Sequence, residues 1–74
     1  MTIEGLRTTL EELESNYEMA RRFRAYPLVE ALRDQILMVQ DALVKAIVAE
    51  DPYTTEADVR FFEGFPAEGR KGFY

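Results

Sequence analysis

The feature that most constrains this chain is a pair of apolar repeats on either side of one proline. From Ile3 onward, Leu6, Leu10, Leu13, Tyr17 and Ala20 follow at alternating steps of three and four. That is the a/d seam of a coiled coil, not the two-residue alternation of a half-buried strand. Beyond Tyr26-Pro27, Val29, Leu32, Ile36, Val39 and Leu43 repeat the spacing. The residue before a proline is pushed away from the helical region, while proline itself suits a first helical turn. The pattern therefore predicts a helix from about Thr2 to Arg24, a short connection around Phe23–Tyr26, and a second helix from about Pro27 to Glu50. A connection this short favours antiparallel neighbours.

The helix ends carry the expected chemistry. Thr2 is placed to cap the first helix, and Glu4 suits its first turn. Glu11, Glu12, Glu14 and Glu18 lie off the seam, and Glu18 is spaced to pair with Arg22 one turn on. Arg21, Arg22 and Arg24 fall at the helix end, where cations complement its dipole. Asp51-Pro52 closes the second helix. Thr54 and Thr55 before Glu56-Ala57-Asp58 predict a short third helix, Glu56–Glu63, with Gly64 as its stop. The last ten residues include Pro66, Gly69 and Gly72 and read as an extended arm. The expected fold is all-α. Residues 1–50 form an antiparallel, coiled-coil-like two-helix hairpin, and residues 51–74 form a short helix plus an aromatic arm.

The second helix is apolar on more than its seam. Leu28, Leu37, Val44, Ile47 and Val48 widen the stripe beyond what one partner helix covers. The remainder must meet the C-terminal segment, a second copy of the chain, or a different protein. With 74 residues and neither cysteine nor histidine, the chain has no disulfide and lacks the commonest metal ligands. A domain this size usually needs such a staple or an oligomeric partner. Phe61, Phe62, Phe65, Phe73 and Tyr74 crowd the C-terminal end. They either fold back over the second helix or anchor in a neighbour, as interface aromatics do. Arg70 and Lys71 would keep such an arm soluble until it docks. The expected partner-binding set is therefore Leu28, Leu37, Val44, Ile47, Val48, Phe61, Phe62, Phe65, Arg70, Lys71, Phe73 and Tyr74, and the expected partner is a protein or another copy of this chain.

Catalytic chemistry finds little to work with. Without histidine or cysteine the usual nucleophile–base pairs are missing, so no enzyme activity, cofactor or metal is expected. Glu14 and Glu18 lie one turn apart but point away from the seam. The stretch from Asp51 to Phe62 fails as a calcium loop, with Glu56 where glycine is required and Phe62 where glutamate is required. Gly64, Gly69 and Gly72 do not have phosphate-loop spacing. A net charge of −5 argues against direct nucleic-acid binding. No apolar run approaches the ~20 residues of a membrane span. The opening Met-Thr-Ile-Glu-Gly lacks signal-peptide blocks, so cytoplasmic synthesis is expected. Arg21-Arg22-Phe23-Arg24 is the one dense basic patch, read either as helix-end electrostatics or as a contact for an acidic partner.

The ending Arg70-Lys71-Gly72-Phe73-Tyr74, and the opening Met1-Thr2 before a Leu/Glu-rich helix, resemble the small phage head-completion proteins of the lambda gpW type. The resemblance covers the first twenty residues and the last five. It implies a virion-assembly role at the head–tail junction, with an arm of Arg70, Lys71, Phe73 and Tyr74 engaging a ring neighbour. Proteins of that type carry a β-hairpin between their two helices, where this chain has only Phe23–Tyr26 and a proline. Two other readings are open. One is an acidic inhibitor that mimics DNA through Glu4, Glu11, Glu14 and Glu18 and occupies a basic nucleic-acid-binding protein. The other is a chaperone-like hairpin that holds a client helix in its apolar groove.

Overall fold

A computed structural model describes residues 2–65; Arg70, Lys71, Phe73 and Tyr74, and the arm they belong to, lie outside the described residues. The fold is all-α, with α1 (Ile3–Arg22), α2 (Tyr26–Glu50) and α3 (Glu56–Glu63) in chain order. α1 and α2 form the antiparallel hairpin, and α3 packs on α2. α2 starts at Tyr26, one residue earlier than the proline rule suggests, and Pro27 sits in its first turn. The backbone has a radius of gyration of 13.0 Å. A compact globule of this size would have about 11 Å, so the molecule is elongated and its core is a line rather than a ball.

Local chemistry sets the boundaries. The Thr2 hydroxyl accepts the Gly5 N–H at 3.0 Å, and the Thr55 hydroxyl accepts the Asp58 N–H at 3.2 Å. Each satisfies one donor that a helix start leaves open. Between α2 and α3 the Asp51 carboxylate accepts the Tyr53 N–H at 3.1 Å and the Thr54 hydroxyl at 2.7 Å, an Asx-type turn.

Two helices close with the same device. At the end of α1, Ala25 N–H donates to the Ala20 carbonyl (2.9 Å) and Arg24 N–H to that of Arg21 (3.1 Å). At the end of α3, Phe65 N–H donates to the Arg60 carbonyl (2.9 Å) and Gly64 N–H to that of Phe61 (3.3 Å). Both are Schellman motifs, which need one residue in the left-handed region. Gly64 takes that place in α3 at φ 75°, whereas Arg24 takes it in the hairpin turn at φ 55°.

The seam forms as the spacing predicts. Leu6, Leu10, Tyr17 and Ala20 of α1 are buried against Leu32, Ile36 and Leu43 of α2, with Ile3, Leu13, Val29 and Val39 partly buried around them. Ile36 and Leu43 are 0% exposed. Gln40 is also inside, at 1% exposure, a buried polar residue the apolar pattern did not mark. One surface pairing differs from expectation. Glu18 lies 4.0 Å from Arg21, at i+3, and not beside Arg22. The Arg21 guanidinium also sits 5.9 Å from the centre of the Tyr17 ring.

The wide side of α2 is partly closed by the chain itself. Val44, expected on the partner-binding surface, is 0% exposed, and Ile47 and Phe65 pack against the hairpin core. Val44 is thereby corrected from a contact residue to an interior one, while Ile47 and Phe65 are partly buried. The cause is α3, whose Val59 is buried and whose Arg60 Nη2 donates to Asp41 Oδ1 at 2.7 Å. Leu37 and Val48 remain half-buried.

Two outcomes follow. Ile36→Ala should cost about 2–5 kcal/mol, much of the stability of a domain this small. Met38→Ala, at an exposed site on the same helix, should stay within about 0.5 kcal/mol; urea midpoints of the two variants check the contrast. Arg24→Gly should relieve the left-handed strain and stabilise by about 0.5–1 kcal/mol after the entropy of glycine is counted. A thermal melt should show a rise of roughly 2–6 °C.

Candidate functional site

Among the described residues, the large apolar side chains still in water, Met38 midway along α2 apart, sit in two regions. The first surrounds the hairpin turn. Met19, Ala20 and Phe23 from the end of α1, with Leu28 and Leu32 from the start of α2, line an open groove of about 330 Å³ whose floor reaches Ala25 and Asn16. Ala20 and Leu32 belong to the core, so the groove is the seam continued into solvent at the closed end of the hairpin. Phe23 is 77% exposed, and Met19, Tyr26 and Leu28 are each more than half exposed. Arg21, Arg22 and Arg24 flank Phe23 on the chain, and no acidic residue occurs between Met19 and Val29. Arg22 and Arg24 have no ion-pair partner among the described residues.

The second region is the outer side of α3. Phe61 and Phe62 are 82% and 81% exposed, and their rings meet edge to face with centroids 5.8 Å apart. Tyr53, in the turn that leads into α3, is also exposed. This half of the molecule is acidic: residues 46–59 include Glu50, Asp51, Glu56 and Asp58 and no basic residue.

α3 is held by two ion pairs of unequal depth. Arg60 is only 12% exposed where it meets Asp41, which also pairs with Lys45 at 3.1 Å. Toward the other helix, Arg7 grips Glu63 with both terminal nitrogens: Nη1 donates to Oε2 at 3.0 Å and Nη2 to Oε1. The hydrogen bonds that Arg7 donates to Glu63, opposed in part by desolvation, raise the Arg7 pKa above its usual value. The arginine half of that pair therefore keeps its charge at any working pH. A shallow, mostly polar depression beside it is lined by Arg7, Leu10, Glu11, Glu14, Glu63 and Phe65. At 100° per residue, Arg7, Glu11 and Glu14 lie on one side of α1, and Asn16, Met19 and Phe23 lie about half a turn round. The groove and α3 therefore occupy opposite sides of the hairpin.

Of the residues singled out from the sequence, Leu28 falls in the groove, and Phe61 and Phe62 form the aromatic ledge. Leu37 and Val48 sit at neither place. Met19, Phe23 and Tyr26 were missed as contact residues because they lie off the seam. The signal was present in Arg21-Arg22-Phe23-Arg24, a phenylalanine set among cations. Among the described residues no cluster of acidic side chains is placed to hold a metal ion, and no helix is long and apolar enough to cross a membrane.

The two fastenings of α3 should differ in strength. Asp41→Ala removes the carboxylate facing a largely buried guanidinium and should cost about 1–3 kcal/mol. Glu63→Gln, at the more open pair, should cost under about 1 kcal/mol. Chemical denaturation of the two variants would rank them.

No protein-family model, curated protein or solved structure matches the chain.

Proposed function

We propose that this chain is a non-enzymatic structural or adaptor protein that acts through protein–protein contacts at the closed end of its hairpin. The observation that carries the reading is the concentration of exposed Met19, Phe23 and Leu28 around one groove. Scattered single apolar residues on a surface need no explanation, but a contiguous patch rimmed by charge marks an interaction site. Aromatic side chains and arginine are also the residue types that dominate interface hot spots. The resemblance to phage head-completion proteins gives a concrete setting, a virion head–tail assembly in which Arg70, Lys71, Phe73 and Tyr74 contribute a second contact.

The runner-up is an acidic inhibitor of a basic nucleic-acid-binding protein. It is favoured by Glu11, Glu14 and Glu18, which share one exposed side of α1. A DNA mimic needs an unbroken negative field. Here Arg21 lies beside Glu18 and two more arginines follow, so the adaptor reading is preferred.

A photo-crosslinking amino acid at Phe23, and separately at Tyr74, tests the proposal in cells that produce the protein. The expected result is a covalent protein adduct at Phe23, strongest at that site, with little or none at the exposed polar control Ser15. Labelling of Ser15 as heavy as that of Phe23, or no adduct at either test site, would overturn it.

A further inference from the structure

The two exposed apolar regions carry opposite charge. At the closed end of the hairpin Met19, Phe23 and Leu28 line the groove, and Arg22 and Arg24, either side of Phe23 in the chain, are exposed, while Arg21 lies beside Glu18. The α3 half presents Glu50, Asp51, Glu56 and Asp58 around Tyr53, Phe61 and Phe62. Glu63 of α3 meets Arg7 of α1, and from Arg7 to Phe23 at 1.5 Å per residue is about 24 Å. That is roughly two Debye lengths at 0.1 M salt, so the two patches act largely on their own. Resting on the adaptor reading, we infer that the partner is a second copy of this chain, bound head to tail: the groove at the arginine-bearing closed end of one molecule docks on the Phe61–Phe62 ledge of the next.

Charge decides between the ways two copies could meet. A two-fold contact through the closed ends would bring Arg22 and Arg24 against their own copies. A two-fold contact through α3 would set acid against acid. Like-charge juxtaposition across an interface costs several kcal/mol, whereas complementary patches steer and hold the correct pair. The head-to-tail contact joins opposite charges and covers exposed aromatics on both sides. A standard interface takes about 800 Å² from each partner, a modest share of the 5505 Å² of exposed surface. A contact of this type is not self-complementary: it leaves a free groove at one end and a free ledge at the other, so copies add until the series closes into a ring or continues as a filament.

Sedimentation of the full chain over a wide range of concentration, at low and high salt, provides the test. The average mass should rise with concentration and fall as salt is added. Phe23→Asp disables the groove and Phe61→Asp the ledge. Both side chains are in water, so circular dichroism should be unchanged, while self-association weakens by roughly tenfold or more in each, as for a hot-spot loss. Mixed in equal amounts, the two variants should form dimers and nothing larger, because each supplies the surface the other lacks. Arg22→Glu and Glu56→Lys provide a second pair built on exposed charges, should either aspartate variant fail to fold. A wild-type chain that stays monomeric, a mixture that stays monomeric, or a mixture that grows beyond dimers overturns the inference. Crosslinking at Phe23 keeps the two levels apart. Adducts only to a foreign protein sink self-assembly but leave the adaptor reading standing, and adducts to nothing sink both.

Discussion

The structure depends on one line of contact, the burial of Ile36 and Leu43 of α2 between the leucines and Tyr17 of α1. Helices of this kind draw most of their stability from packing an apolar face and not from intrinsic propensity. α3 is more dependent still. Its 8 residues are too few for an isolated helix to persist in water, and it forms because the hairpin offers Asp41, Arg7 and the flank around Val44. The order of dependence therefore runs from seam to hairpin to third helix, and the exposed groove and ledge inherit their positions from it.

The breadth of α2 is resolved by a division of labour along its length. Near the open end the chain covers its own apolar side, with Val59 and Phe65 supplying apolar cover and two ion pairs fixing where α3 lies. Near the turn nothing among the described residues covers the seam, and it emerges as the groove. The deeper ion pair, Arg60 with Asp41, illustrates why placement matters more than number. A nearly buried guanidinium is costly to bring in and equally costly to deprive of its carboxylate, so it fixes position more firmly than the open Arg7–Glu63 pair.

Much of this was legible in the residues because the signals are local or periodic. The seam members follow from spacing, the starts of α1 and α3 from Thr2 and Thr55, and the stop at Gly64 from the left-handed region that glycine favours. What escaped was tertiary. An apolar stripe says that something covers it, not which candidate does, so Val44 and Ile47 read as contact residues until α3 was seen beside them. Gln40 belonged to the same flank, at helical spacing from Leu37, Val44 and Ile47, but its polarity hid it from an apolar count. Phe23 was passed over for the opposite reason: three arginines drew the eye to charge. Arg24 could not be anticipated, since a left-handed turn residue normally announces itself as glycine or asparagine.

The backbone measures 42 × 24 × 15 Å. A single helix backbone is only about 5 Å across, so even the least dimension spans more than one helix, and the molecule is a flattened, elongated slab. Such a slab is just deep enough to hide one line of residues, Ile36, Gln40, Leu43 and Val44, from solvent.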